Sequence, residues 1–174
     1  MAVGVLFDLD QTLIDSSSAA PIRGGGRPWG PVFALVPDFV VYDGISGILA
    51  MLTERKIPVC VVTSSVRSYC DKVIDHHKFG IVHRICYHDT SRRKPHPDPI
   101  LAGIKKLGLP AREVWAIGDD PKDIQAAHAA GVHSVAVTWG SADPSALRAA
   151  SAESIFDTVV ELYAFLDELT SPPE

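Results

Sequence analysis

The chain has 174 residues, of which 47% are hydrophobic and 21% are charged, and it carries a formal net charge of −5. This composition excludes a disordered chain, and no apolar run reaches the ~18 residues that a bilayer-spanning helix needs. The acidic balance argues against nucleic acid as a partner, because proteins that bind its phosphate backbone normally carry a basic face. The first residues lack the basic segment of a secretory signal, so we expect a cytoplasmic protein without membrane contact.

Apolar runs rich in β-branched residues alternate with helical patterns along the chain. The predicted strands cover residues 3–7, 57–62, 84–87, 114–117 and 134–138. The predicted helices cover residues 45–52, 100–107, 120–130 and 155–169. Because strands that are apolar on both faces alternate with helices, we predict an α/β fold. In it, a Rossmann-like parallel sheet of about five strands lies between helices on both faces, as a three-layer sandwich.

Four residues mark predicted helix ends. Asp43 and Asp120 have side chains that can cap a helix N-terminus, and each stands just before a helical pattern. Gly108 and Gly131 stand directly after such patterns, where glycine often adopts the left-handed conformation that ends a helix. We therefore expect helices to begin or end at these positions.

The stretch between Asp15 and Asp38 interrupts the alternation of strands and helices. It is rich in Gly, Pro and Ser, too long for a tight turn and too short for a second domain. We expect one domain over residues 1–174, in which residues 16–42 form a short mobile flap beside the sheet edge. Arg23, Arg27 and Trp29 could reach a substrate from this flap, although a structural role is the more common one for such residues.

Two pairs of aspartates follow predicted strands. Asp8 and Asp10 follow the first strand, and a spacing of two on extended backbone directs both side chains to the same side. Asp119 and Asp123 follow the strand that ends at residue 117. Each pair has an ordinary alternative, since aspartate is common in turns, and Asp120 and Asp123 also suit the first turn of a helix.

If the two strands are neighbours, Asp8, Asp10, Asp119 and Asp123 meet at one edge of the sheet. Carboxylates at such range cannot all stay ionised without compensation, because like charges raise one another's pKa. Lys94, in the loop after the third predicted strand, can supply positive charge. A hard divalent cation that prefers oxygen ligands, by default Mg²⁺, can supply more. Such a site attracts a phosphate group.

Four motifs at the predicted strand ends together resemble the haloacid dehalogenase-like (HAD) superfamily of hydrolases, in the branch similar to phosphoglycolate phosphatase. In chain order they are DLDQTL from Asp8, VVTS ending at Ser64, the pair Lys94-Pro95, and GDDPKD ending at Asp123. The first motif alone is moderately specific, whereas all four in this order are a strong signal.

The resemblance implies a Mg²⁺-dependent phosphatase that hydrolyses a phosphate monoester through an aspartyl-phosphate intermediate. Asp8 would be the nucleophile, and Asp10 would act first as general acid and then as general base. Mg²⁺ would be held by Asp8, the backbone carbonyl of Asp10 and Asp119, with Asp123 assisting directly, through water or through Lys94. The groups implied for the substrate phosphate are the backbone N–H groups of Leu9 and Ser64, the hydroxyl of Thr63 and the ammonium of Lys94.

The main departure from the family is the size of the cap. Relatives usually insert a helical domain of many tens of residues after the first motif, whereas residues 16–42 make only a rudimentary cap. An open site would suit a phosphatase with a macromolecular substrate, such as a phosphoprotein or a nucleic-acid end, or a second subunit or partner could cover it. A further alternative is a non-catalytic module of the same fold that binds a partner.

Overall fold

The computed structural model describes residues 2–23 and 28–171. Its strands are β1 (Gly4–Phe7), β2 (Ile14–Asp15), β3 (Val40–Val41), β4 (Val59–Val62), β5 (His83–Ile85), β6 (Val114–Gly118), β7 (His133–Val137) and β8 (Ser154–Phe156). Its α-helices are α1 (Gly30–Leu35), α2 (Ile45–Glu54), α3 (Arg67–His76), α4 (Asp98–Leu107), α5 (Pro121–Ala130), α6 (Pro144–Ala149) and α7 (Val159–Thr170). Short 3₁₀ turns lie at Ser17–Ile22, Val36–Asp38 and Ala111–Glu113. No helix in the described ranges is long and apolar enough to cross a membrane.

Six strands form one parallel sheet in the order β5-β4-β1-β6-β7-β8. Its central strand β1 alternates between two cores: Val5 and Phe7 pack with α2, α3 and α7, whereas Leu6 packs with α4 and α5. Helices therefore cover both faces, and the predicted three-layer α/β sandwich is confirmed. Because the strands are parallel, their C-terminal ends lie along one edge of the sheet, which is where ligands of such folds bind.

The sheet has one strand more than the roughly five expected, and the reason lies at Ile155. The spacing of Ile155 from Val159 suits a helix, but Ser154–Phe156 instead pairs with β7, where Val137 is the partner of Phe156. The last helix begins only at Val159, because Thr158 caps it by accepting a hydrogen bond from Glu161 N. The assignment of Ile155 to the C-terminal helix was therefore wrong.

The predicted helix ends are confirmed at three of the four positions. Asp120 caps α5 through its side chain, and Gly108 and Gly131 have the left-handed conformation after α4 and α5. Asp43 is not a cap: Gly44, at φ 91°, stands at the N-cap of α2, and no side chain caps this helix. The left-handed conformation at the N-cap favours glycine, so Asp43 lies one residue before the capping position.

The stretch predicted as a flap contains, among the described residues, the 3₁₀ turn Ser17–Ile22, the helix α1 and the turn Val36–Asp38. It leaves and rejoins the core through an antiparallel pair, in which Ile14 of β2 faces Val41 of β3. The boundaries 16–42 and the single-domain description remain predictions.

The loop after β7 closes tightly on the turn that follows Asp10. Trp139 Nε1 donates to Thr12 O at 3.1 Å, and a Cβ added to Gly140 would lie 1.9 Å from the backbone oxygen of Gln11. Gln11 itself has φ 64°, in the left-handed region that residues other than glycine rarely adopt. Glycine at position 140 therefore allows two backbone segments to approach beside the strand ends.

We expect Gly140→Ala to lower the free energy of unfolding by about 1–3 kcal/mol, the usual cost of overpacking. Gly30→Ala is the matched control, because an added Cβ at Gly30 meets nothing within 4 Å and alanine favours a helix. Urea unfolding followed by circular dichroism measures both. Equal stabilities for Gly140→Ala and the wild type would contradict the close approach.

Candidate active site

Two aspartates expected to converge follow neighbouring strands. Phe7, at the end of β1, pairs with Val61 of β4 and Ile117 of β6. Asp8 continues this ladder by donating its backbone N–H to Ile117 O at 2.9 Å. Asp119 follows β6 directly, so the condition on which the convergence depended is met and the two aspartates share one edge of the sheet.

Lys94 lies between two of the carboxylates. Its Nζ is 2.6 Å from Asp8 Oδ1 and 2.5 Å from Asp123 Oδ1, and it also donates to the backbone oxygen of Val62 at 3.0 Å. The side chain is only 7% exposed. Burial alone would lower the pKa of Lys94, but the carboxylates of Asp123 and Asp8 outweigh burial and raise it. The lysine is therefore a fixed positive charge in the site.

The aspartates of this cluster still carry more negative charge than Lys94 compensates. Burial raises the pKa of Asp8 well above its usual range; Lys94 opposes this shift, and the carboxylates of Asp123 and Asp119 add to it. Burial and Asp123 raise the pKa of Asp119 to about 7, although Thr12 donates a hydrogen bond to Asp119 Oδ1 at 2.8 Å. A further cation would therefore stabilise the ionised carboxylates.

The residues present fit a divalent metal. Carboxylate oxygens of Asp8, Asp119 and Asp123 all lie within 4.8 Å of one another. An all-oxygen, anionic set of this kind matches the preference of Mg²⁺, and a cation would relieve the repulsion that raises the pKa values of Asp8 and Asp119. The acidic cluster is thus compatible with the expected metal.

Asp123 both caps helix α5 and belongs to the carboxylate cluster. Its Oδ2 accepts the backbone N–H of Asp120 at 3.1 Å, which completes a capping box with the Asp120 side chain at the start of α5. Its Oδ1 is the oxygen that contacts Lys94. The helix cap therefore orients a carboxylate toward the lysine and the other aspartates, so the two roles do not compete.

A cavity of about 590 Å³ opens over this cluster. It is lined by seven of the eight predicted site residues, namely Asp8, Asp10, Thr63, Ser64, Lys94, Asp119 and Asp123. The eighth, Leu9, has a fully buried side chain in the core, which leaves the predicted contribution of its backbone N–H as a prediction. The hydroxyl oxygen of Thr63 accepts the backbone N–H of Ser65 at 3.0 Å, so its proton is free to be donated elsewhere.

The surroundings of Asp10 were not predicted. Its carboxylate receives hydrogen bonds from Ser16, Ser65 and Tyr69 and pairs with Arg23. Of these four residues, only Arg23 is singled out by the sequence pattern, as a candidate substrate contact. Tyr69 lies on α3, 59 residues from Asp10, and no motif spacing connects the two.

Trp29 also lines the cavity, and its ring lies 5.3 Å from that of Tyr69. The stretch after β2 therefore contributes two side chains, Arg23 and Trp29, to the cavity wall. Arg27, the third residue considered as a substrate contact, lies outside the described residues.

Comparison with known proteins identifies the family. Residues 35–137 match the family model of the haloacid dehalogenase-like hydrolases, so the chain belongs to this family, as its motifs indicate. The matched range contains Thr63, Lys94, Asp119 and Asp123, whereas Asp8 and Asp10 precede it.

Two curated relatives carry phosphate-hydrolase names. The chain is 37% identical over 102 residues to the putative pyrophosphatase PpaX of Caldanaerobacter subterraneus subsp. tengcongensis, covering 57% of this chain and 46% of that protein. It is 30% identical over 125 residues to a phosphoglycolate phosphatase of Pectobacterium atrosepticum, covering 71% of this chain and 53% of that protein. The chain thus spans about half the length of the curated relatives that it matches.

Solved structures support the fold. A hydrolase from Pseudomonas syringae superposes with a TM-score of 0.79 at 22% identity, covering 97% of this chain and 100% of that one. A putative phosphoglycolate phosphatase from Lactobacillus plantarum superposes with a TM-score of 0.81 at 21% identity, covering 94% and 99% of the two chains. At such low identity these structures establish the architecture alone.

The raised pKa of Asp119 predicts how the stability of the protein changes with pH in metal-free buffer. The folded protein keeps a proton on Asp119 up to a pH of about 7, whereas the unfolded chain loses it near pH 3.9. Between these values the folded state binds more protons, so this group's contribution to stability falls as pH rises. The amide of Asp119→Asn cannot titrate. Relative to the wild type, we therefore expect the free energy of unfolding of this variant to rise by about 1 kcal/mol or more between pH 4 and 7.

Urea unfolding of both proteins in EDTA at several pH values measures this difference. A difference in unfolding free energy that does not change with pH would contradict the burial and crowding of Asp119.

Proposed function

We propose that the protein is a Mg²⁺-dependent phosphatase that hydrolyses a phosphate monoester through an aspartyl-phosphate on Asp8. The observation that carries this proposal is the joint placement of Asp8, Lys94 and Asp119 in the wall of one cavity, at the end of the central strands. The names of the two curated relatives, a putative pyrophosphatase and a phosphoglycolate phosphatase, support a phosphate-hydrolysing activity.

In the first step, Asp8 attacks phosphorus. We assign the attack to Oδ2, because Oδ1 is engaged by Lys94 at 2.6 Å. A bond forms between Asp8 and phosphorus while the bond from phosphorus to the ester oxygen breaks. The leaving oxygen takes a proton from Asp10, which acts as general acid. Covalent catalysis divides one difficult displacement into two easier ones.

In the second step, water attacks the phosphorus of the phosphorylated Asp8 and gives its proton to Asp10, now a carboxylate. The bond from Asp8 to phosphorus breaks, inorganic phosphate leaves, and both aspartates return to their starting state. Asp10 recovers in this step the proton that it gave in the first.

The Thr63 hydroxyl and the backbone N–H groups of Leu9 and Ser64 would bind the phosphoryl oxygens. The ammonium of Lys94, whose three protons are directed to Asp8, Asp123 and the backbone oxygen of Val62, would attract them by its charge. Thr63 suits this role, because its hydroxyl oxygen already accepts a hydrogen bond from Ser65 N and its proton can point into the cavity. Preorganised donors of this kind stabilise the charge that develops in the transition state.

Asp8, Asp119 and Asp123 would hold Mg²⁺, together with the backbone carbonyl of Asp10. When bound, the cation would neutralise charge on the phosphoryl group and orient it for attack. The same carboxylates repel one another without it, which gives the site affinity for a divalent ion.

The nucleophile is tested by hydrolysis of p-nitrophenyl phosphate. We expect Asp8→Asn to lower kcat by at least about 10³, which corresponds to ~4 kcal/mol of barrier, because the amide cannot attack phosphorus. Asp167→Asn is the matched control. Asp167 lies on α7, pairs with Arg55 and does not line the cavity, so this substitution should leave kcat unchanged.

Metal-dependent hydrolysis that survives in Asp8→Asn would contradict the covalent mechanism. Inactive, folded wild-type protein across a broad panel of phosphate monoesters would instead favour the non-catalytic binding module.

The metal is tested by binding rather than by turnover. We expect Mg²⁺ to raise the melting temperature of the wild type and to restore activity lost in EDTA, because only the folded chain brings the carboxylates together. In Asp119→Asn the thermal shift should largely disappear. An equal shift in both proteins, measured by differential scanning calorimetry, would place the ion elsewhere.

A further inference from the structure

The carboxylate of Asp10 is held by four side chains. Ser16 Oγ and Tyr69 OH each donate to Oδ1 at 2.7 Å. Ser65 Oγ donates to Oδ2 at 2.9 Å, and Arg23 Nη2 lies 2.6 Å from the same oxygen. When Asp10 is ionised, both oxygens therefore accept from two groups, which fixes the position and the rotation of the carboxylate. In the protonated acid, the proton takes the place of one of these donors. This arrangement is far more specific than a turn aspartate requires.

Arg23 connects the members of this cluster. Its Nη2 also donates to Ser65 Oγ at 3.1 Å, and its Nη1 donates to Ser16 Oγ at 3.4 Å. Each serine hydroxyl accepts a hydrogen bond from Arg23 and donates one to Asp10, so the guanidinium orients two of the other donors as well as contacting the carboxylate. Removing the guanidinium would loosen three of the four contacts.

Aromatic packing fixes Arg23 in turn. Its guanidinium carbon lies 4.6 Å from the centre of the Tyr69 ring, and the Arg23 side chain is only 20% exposed. The tyrosine thus supports the arginine with its ring and the aspartate with its hydroxyl. Arg23 stands at the end of the 3₁₀ turn Ser17–Ile22, so the stretch between β2 and β3 reaches the reacting groups through this residue.

We propose that Arg23 is a positioning residue for Asp10. It holds the carboxyl group in place and stabilises the negative charge that Asp10 acquires when it gives its proton to the leaving oxygen. This inference rests on the proposed function, in which the O–H bond of Asp10 breaks as the ester oxygen takes the proton and phosphorus passes to Asp8. Donors that are already oriented toward the developing charge lower the barrier without reorganising.

The proposal makes a prediction that depends on the leaving group. An alkoxide leaves only with a proton, whereas 2,4-dinitrophenolate leaves readily without one. The value of kcat/KM reports steps up to the departure of the leaving group. We expect Arg23→Gln to lower kcat/KM about 10-fold to 100-fold for 2-phenylethyl phosphate, a part of the usual contribution of a general acid. For 2,4-dinitrophenyl phosphate the loss should stay below about 3-fold.

Two further variants define the role of the charge. Arg23→Lys keeps a cation beside Asp10 but cannot reach both serines, so it should recover part of the loss on 2-phenylethyl phosphate. Arg55→Gln is the matched control, because it removes an arginine that pairs with an aspartate at 2.5 Å and does not line the cavity. It should leave both kcat/KM values unchanged.

Tyr69→Phe provides a test that does not remove the arginine. It deletes one donor to Asp10 Oδ1 and keeps the ring on which Arg23 and Trp29 pack. We expect a selective loss of about 3-fold to 10-fold on 2-phenylethyl phosphate. If Arg23→Gln does not fold, Arg23→Lys compared with the wild type on the two substrates decides the role of Arg23, and Tyr69→Phe tests the other donors to Asp10.

Equal losses on the two substrates would make Arg23 a merely structural residue and overturn the inference. A gain on 2-phenylethyl phosphate would overturn it too, since Arg23 would then restrain Asp10 rather than assist it. Wild-type protein that hydrolyses neither substrate would contradict the proposed function itself, and the two failures are therefore distinguishable.

Discussion

Repulsion among buried carboxylates is the constraint on which the site depends. Asp8, Asp119 and Asp123 bring oxygens within 4.8 Å of one another, and Lys94 lies against two of them. The parallel sheet creates this arrangement, because β1 and β6 are neighbours and end at the same edge. The same crowding that costs stability makes the cluster compatible with a bound cation, which would offset the repulsion.

A different local contact positions each of the three aspartates. The ladder between β1 and β6 extends to Asp8 N, the capping box of α5 orients Asp123, and the hydroxyl of Thr12 holds Asp119. These contacts would exist without any ligand. A substrate would therefore meet charges that are already in place, and such preorganised groups stabilise a transition state without having to reorganise.

Strand ends and short motifs carried most of what the sequence could predict. Asp8 and Asp119 follow neighbouring strands, so sheet topology alone brings them together, whereas Lys94 lies in a loop and was predicted from its motif and from the charge that the aspartates need. The contacts of Asp10 could not be predicted in this way, because Tyr69 lies on α3, a helix that is missing from the predicted elements. Ile155 shows the opposite problem: its spacing from Val159 suited a helix, but pairing with β7 outweighed that local preference.

The most direct measurement is chemical trapping of the phosphorylated enzyme. Wild-type protein would be mixed with Mg²⁺ and 2,4-dinitrophenyl phosphate, quenched in acid, reduced with borohydride and digested for mass spectrometry. An aspartyl-phosphate is reduced to homoserine, so we expect homoserine at position 8 and at no other aspartate. Active enzyme in which Asp8 remains aspartate while another residue is converted would contradict the role of Asp8 as nucleophile.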